Sequence, residues 1–390
     1  MKFQKGDLTI CGHGGESGPI PENAVVPPLY FNSNFSFSTA EDFLCYEEGR
    51  SKGYIYGRTG NPTTELLEQK LAALEHGAGA LAFASGMGAI TSAIMACLHP
   101  GEHAVVMRNT YCNAREFFIR EMQNRWGAEI TFIEGRTAEE FEQALKPNTR
   151  LFYLESPASA IMTLTDIPAV TALAKAHGIR TVMDNSWATP LLQKPLDMGV
   201  DISVHTMSKY IGGHSDLIGG AAITKDEDLL FEMQMTQRHL YGSVLGQMES
   251  WLAIRGLRSL PARLQLHESN AMQVADLLAG SPKVERLFYP GHPSFDQYDL
   301  ACRQMTGFTG LMSFMPKMSY DEMLQAINRL KIFKIACSWG GFESLALPAT
   351  AVTEPGELFE DIEHQNLVRI YVGQESAEDL MEDLAQAFRL

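Results

Sequence analysis

Three short stretches combine residue types that do chemistry together. Ser208-Lys209-Tyr210 follows the apolar run DISVH (201–205) and precedes the glycine-rich GGHSDLIGG (212–220). Apolar surroundings at the exit of a buried strand destabilise an ammonium and free the amine to attack a carbonyl. A plain polar loop would instead leave Lys209 at the surface. Asp184 closes RTVMD (180–184). At the carboxyl end of a strand in an open parallel sheet it can hold a cationic ring nitrogen of a ligand, or simply cap the next segment. Ser85-Gly86-Met87-Gly88 lies between ALAFA (80–84) and the helical AITSAIMACL (89–98). Such a turn exposes backbone N–H groups at a helix N-terminus, where phosphate binds, unless it is only a tight turn. The nearest dinucleotide-type pattern, Gly77-x-Gly79-x-x-Ala82, precedes its strand instead of following it, which speaks against a nicotinamide site.

The elements that would carry these groups are legible in the apolar rhythm. From Asn61 a helical stretch, TTELLEQKLAALEH (63–76), runs to a stop at Gly77. Seven short runs follow: ALAFA (80–84), HAVVM (103–107), EITFIE (129–134), LFYLE (151–155), RTVMD (180–184), DISVH (201–205) and GGAAIT (219–224). Runs without polar alternation suit strands buried on both faces, and amphipathic stretches such as 137–146 and 166–177 suit right-handed crossovers. The expected fold is α/β, a mostly parallel doubly wound sheet. After Arg255 a helix at roughly 258–280 precedes a smaller α+β set: VERLFY (284–289), GLMSFMP (310–316), a helix near 320–329, IFKIACS (332–338), LVRIYVG (367–373) and a last helix near 376–388. Residues 1–60 lack helical periodicity and carry Pro19, Pro21, Pro27 and Pro28 among aromatics, as an extended arm packed on another subunit would. The expected organisation is therefore an arm (1–60), an α/β domain (61–255) and an α+β domain (256–390).

Composition narrows the partners. The 390 residues suffice for about two domains and a large core. A net charge of −16 repels phosphate backbones and anionic lipid, so neither nucleic acid nor a membrane is expected as a partner. No apolar stretch approaches ~20 residues, and the first residues lack the apolar core of a secretory signal. The six cysteines form no C-x-x-C, as reduced thiols in a cytoplasmic protein would not. His99 and His103 flank Pro100-Gly101, which breaks the helix a metal pair would need.

Taken together, a phosphate cradle, an aromatic (Tyr111), Asp184 and Lys209, each after a strand of one sheet, match the needs of pyridoxal phosphate. Its phosphate wants N–H donors and hydroxyls, its ring a stacking partner and an anion at nitrogen, its aldehyde a lysine. The motifs YGRTGNPT (56–63), ASGMGAI (84–90), ESPAS (155–159), VMDNSWATP (182–190), the SKY…GGHSD…GG stretch (208–220), SWGGFESL (338–345) and LVRIYVG (367–373) resemble the Cys/Met-metabolism family of pyridoxal-phosphate enzymes, fold type I. The resemblance covers nearly the whole chain. It implies that Lys209 carries the cofactor as a Schiff base and shuttles protons, that Asp184 pairs with the ring nitrogen, and that Tyr111 stacks on the ring. Gly86 and Met87 would offer amides to the phosphate, helped by the hydroxyls of Thr206 and Ser208. Tyr56 and Arg58 would reach a neighbour's phosphate, which implies a homotetramer of two active dimers. Arg369 would grip the α-carboxylate of a small sulfur amino acid, with Ser338 and Trp339 beside it. From the residues alone, Tyr56 and Arg58 could be a docked turn, Arg369 a structural ion pair, Ser338 a turn cap, Trp339 ordinary core and Cys112 a buried small residue.

Within the family, Trp339 after Ser338 and Ser159 in ESPAS resemble bacterial cystathionine β-lyases. The expectation is β-elimination from L-cystathionine, giving homocysteine, pyruvate and ammonia. YGRTGNPT resembles γ-acting members instead, and the γ-lyases and γ-synthases are the alternative; a non-catalytic cofactor-binding relative is a remoter one. Two departures from the family pattern stand near the site: His205-Thr206-Met207-Ser208 before the lysine, and Tyr111-Cys112-Asn113-Ala114 at the ring.

Overall fold

A computed structural model of the chain describes residues 1–16, 20–351 and 366–390. Pro19 of the expected arm lies outside them. The seven apolar runs all form strands of one sheet: β1 Gly79–Phe83, β2 His103–Met107, β3 Glu129–Ile133, β4 Thr149–Glu155, β5 Arg180–Asp184, β6 Ile202–Thr206 and β7 Gly220–Thr224. Their order is β1-β7-β6-β5-β4-β2-β3. Only β7 is antiparallel to its neighbours, so the other six strands point their carboxyl ends to one edge. Every residue of β2 and β7 is buried, which explains why these runs lack polar alternation. The architecture is the α/β fold type I expected from the sequence.

The helix Pro62–Glu75 starts where Asn61 caps it, its side chain accepting from Thr63 N at 2.9 Å, with Pro62 at the first position. It stops at His76, which takes the left-handed conformation one residue before the expected Gly77. A second sheet has the order β10-β11-β12-β9-β8, from β8 Val284–Phe288, β9 Leu311–Pro316, β10 Lys334–Ile335, β11 Leu345–Pro348 and β12 Val368–Tyr371. The helix Gln247–Gly280 joins the two sheets and is about 50 Å long at 1.5 Å per residue. It begins eleven residues earlier than the periodicity indicated and continues through Pro261.

The first 60 residues are not wholly extended. Helices Asp7–His13 and Ala40–Glu47 interrupt them. The first is held by tertiary contacts rather than by its own pattern. Lys194 Nζ reaches Asp7 Oδ1 at 3.1 Å, and Lys70 Nζ reaches the Gly12 carbonyl at 3.1 Å. Among the described residues, no helix is long and apolar enough to cross a membrane.

Candidate active site

The carboxyl edge of the first sheet holds the phosphate-like corner. Ser85 caps the helix Gly86–Cys97, its hydroxyl taking the Gly88 amide at 3.0 Å. The amides of Gly86 and Met87 keep no partner among the described residues and border a cavity of about 480 Å³. A side chain at Gly86 would overlap the Thr206 hydroxyl, so the close approach of turn and strand end requires glycine. Thr206 and Ser208 line the same cavity. Ser208 Oγ accepts from Gly219 N at 3.1 Å, which leaves its proton free to donate.

Lys209 sits between the two sheets. Its Nζ donates to Ser338 Oγ at 2.5 Å and lies 5.2 Å from the centre of the Trp339 ring. Burial, followed by the positive charge of Arg369, pushes the Lys209 amine down to about 8. Half-buried and lining the cavity, Lys209 is not the exposed residue that a plain polar loop would present. Ser338 has φ +89°, and Gly340 φ +90°. A Cβ on Gly340 would press on Tyr210 N at 2.5 Å, so the turn is seated on the backbone of the lysine itself. Trp339 is half-buried: it packs against the hydrophobic core, touching Tyr210, and also faces the cavity.

Arg369, on β12, is buried, and no carboxylate pairs with it among the described residues. The structural ion pair allowed by the sequence is absent there. Burial holds its guanidinium down to about 10. An unpaired buried cation lining a cavity asks for an anionic ligand.

Asp184 is buried at the end of β5, with Oδ1 accepting from Ser186 N at 2.9 Å. It lines the cavity as well as making this local turn. Burial raises its carboxyl above the ordinary range, opposed by the Ser186 hydrogen bonds and then by the charges of His205 and Lys209. Its register partner on β4 is Glu155, a cavity residue that the sequence reading quoted in ESPAS without assigning it a role. The available signal was that LFYLE and RTVMD both end on acids at one sheet edge. Tyr111 borders the cavity, its hydroxyl accepting from Asn113 Nδ2 at 2.7 Å. Cys112 is only half-buried and lines the cavity with Cys337, so its reading as a buried small residue is corrected.

Tyr56 and Arg58, which the resemblance assigns to a neighbouring subunit's site, lie apart from this chain's own cavity. Arg58 Nη1 donates to the His239 carbonyl at 2.7 Å, and Tyr56 is exposed. His103 is buried between Thr149 and Thr131 at 2.8 and 2.9 Å, and His99 sits against Glu102.

The cavity fits pyridoxal phosphate. Free helix-terminal amides and hydroxyls could take its phosphate, Asp184 its ring nitrogen and Lys209 its aldehyde. Comparison with known proteins agrees. The chain is 38% identical to the L-methionine gamma-lyase of Treponema denticola, over 93% of this chain and 92% of that protein. It is equally identical, 38%, to the cystathionine gamma-lyase of Bacillus subtilis, over 97% of this chain and 98% of that one. The crystal structure of cystathionine gamma synthase from Xanthomonas oryzae pv. oryzae, in complex with aminoacrylate and cysteine, matches with a TM-score of 0.91 and 33% identity, covering 98% of this chain and 97% of that one. The model of the Cys/Met metabolism PLP-dependent enzyme family matches residues 8–389, the whole span that builds this cavity, and the chain belongs to that family, with pyridoxal phosphate as its cofactor.

Proposed function

We propose that this pyridoxal-phosphate-dependent carbon–sulfur enzyme breaks the Cγ–S bond of a sulfur amino acid such as L-cystathionine or L-methionine. The observation that carries this is that two similar relatives over more than nine-tenths of the chain are named γ-lyases; the γ-synthase relative supports only that the γ carbon is where the chemistry falls. The β-elimination expected from Trp339 and Ser159 has no such support. Both residues do line the cavity, but neither touches the question of which carbon loses sulfur.

The geometry supports the following roles. Gly86 and Met87 amides, with the Thr206 and Ser208 hydroxyls, would hold the phosphate. Asp184 would hold the ring nitrogen, and Tyr111 would border the ring. When bound, the cofactor supplies the electron sink that makes protons on the substrate acidic. Arg369 fixes the substrate α-carboxylate, which sets where Cα and Cβ lie. Lys209, its amine held beside the substrate position, would take the Cα proton. Its flexible four-carbon stem lets the same amine reach the adjacent Cβ, the second deprotonation that γ-elimination needs. Ser338 Oγ, which accepts from Nζ, would steady the amine for both transfers.

A second copy of the chain completes the site. Arg58 and Tyr56 are exposed beside Leu240 and Tyr241, which are 77% and 60% exposed, and Phe31 is 72% exposed. Such an apolar surface with a cation in it suits an interface, and a homotetramer of two active dimers would bury it. The keto acid released from L-cystathionine tests the function. 2-Oxobutyrate with cysteine is expected; pyruvate with homocysteine would overturn the γ assignment and restore β-elimination.

A further inference from the structure

Glu155 is an ionisable cavity group to which the reaction above gives no task. It closes β4 directly beside Asp184 on β5, and both are buried. Both of its oxygens are engaged. Oε2 accepts from the Thr110 hydroxyl at 2.9 Å and the Tyr111 amide at 2.7 Å; Oε1 accepts from the Ser159 hydroxyl at 2.8 Å. Thr110 and Tyr111 follow β2, whereas Ser159 follows β4. One carboxylate thus ties together two loops that line the cavity, and no lysine or arginine neutralises it among the described residues.

We propose that Glu155 is a positioning residue for the cofactor ring: it fixes the backbone from which Tyr111 reaches the ring, and it sets a second negative charge behind Asp184 that strengthens the hold on a protonated ring nitrogen. This rests on the placement of the ring against Asp184 and Tyr111 given above. A neutral acceptor would serve for the hydrogen bonds alone, so the two parts of the proposal separate. Glutamine in place of Glu155 can keep all three contacts. Its carbonyl oxygen takes Thr110 and the Tyr111 amide, and its NH₂ faces a Ser159 hydroxyl that rotates to accept. Only the charge is lost.

The charge has a titration that exposes it. Burial first, and the Asp184 carboxylate second, lift Glu155 to about 7. The ionisable groups facing it are Asp184 from β5, Tyr153 from its own strand and Tyr111 across the cavity edge; Asp184 in turn feels His205 and Lys209. Below that midpoint Glu155 is neutral, as glutamine is. Above it the wild-type protein alone has the second charge.

The experiment measures the affinity of the cofactor-free protein for pyridoxine 5′-phosphate by calorimetry. That probe has an alcohol in place of the aldehyde and so does not react with Lys209. Glu155→Gln is expected to bind like wild type at pH 6 and about tenfold more weakly at pH 8.5, the equivalent of roughly one pKa unit of coupling. Glu155→Ala is expected to bind weakly at both. Titration of the probe phosphate cancels in the ratio of variant to wild type. Equal affinity of Glu155→Gln and wild type at both pH values overturns the charge role. Wild-type affinity of Glu155→Ala overturns the positioning role. Wild-type affinity of Asp184→Asn overturns the ring placement beneath both. None of these readouts involves the keto acid, so failure here is distinct from failure of the γ assignment.

Discussion

Lys209 and Ser338 stand 129 residues apart in sequence, yet the amine donates to the hydroxyl at 2.5 Å across the meeting line of two sheets. The contact holds the amine without neutralising it. Ser338→Ala is expected to leave cofactor attached and keto-acid identity unchanged while lowering kcat/KM about tenfold, the usual worth of a hydrogen bond to a charged group. Lys209→Ala is expected to lose covalent attachment altogether. Borohydride treatment followed by peptide mass mapping distinguishes them: the cofactor mass appears on the peptide containing residue 209 in wild type and Ser338→Ala only.

The depressed amine predicts how the apoprotein takes up its cofactor. Only neutral Lys209 attacks the aldehyde. Its fraction is small below its midpoint of about 8 and approaches one above it. The attachment rate, followed by absorbance in stopped flow, should therefore rise with pH and level off above that midpoint. A rate still climbing steeply at pH 9.5, with no plateau, would show that the lysine keeps its ordinary basicity and is not desolvated.

Arg369 has no acidic partner among the described residues to be orphaned by its removal, so its loss should fall on the substrate. Arg369→Leu is expected to raise KM roughly a hundredfold, about two charge-assisted hydrogen bonds, with cofactor affinity intact. Lysine at the position should recover little, because a point charge does not reproduce the planar fork. Steady-state kinetics beside a cofactor titration reads both effects.

If Arg58 serves a neighbouring subunit, two inactive variants should rescue one another. In a mixed dimer of Lys209→Ala with Arg58→Ala, one site carries both defects and the other carries neither. Random exchange makes about half the dimers mixed, so about a quarter of wild-type activity is expected. Its absence, after mass spectrometry has confirmed subunit exchange, would place Arg58 in a docked turn of its own chain.

Much of this was legible in the residues. The inner strands of the first sheet are legible because burial on both faces leaves continuous apolar runs, and β2 and β5 match their runs to the residue, whereas the edge strand β3 is only half-buried. The second sheet was harder. Of IFKIACS only Lys334 and Ile335 pair, both exposed, and the short β11 was not read from LALP. The helix Asp7–His13 escaped notice since its support comes from Lys194 and Lys70, far along the chain. Cavity residues followed from chemistry where one residue carries one task, as with Lys209 and Asp184. Glu155 and Cys112 did not, because their meaning depends on which loop they face. The carbon attacked was not legible at all: Trp339 and Ser159 line the cavity whichever bond breaks.

Gly340 rests on the backbone of Lys209 and Tyr210 with no room for a methyl group. Under the proposed function, the Ser338–Trp339 segment beside the substrate and the lysine that would move its protons are therefore one mechanical unit. Laboratory evolution aimed at Cys337–Gly341 to change substrate preference will shift the basicity of the lysine in the same step. Selection on one trait will drag the other, and variants with new specificity should cluster by altered pH optimum rather than scatter.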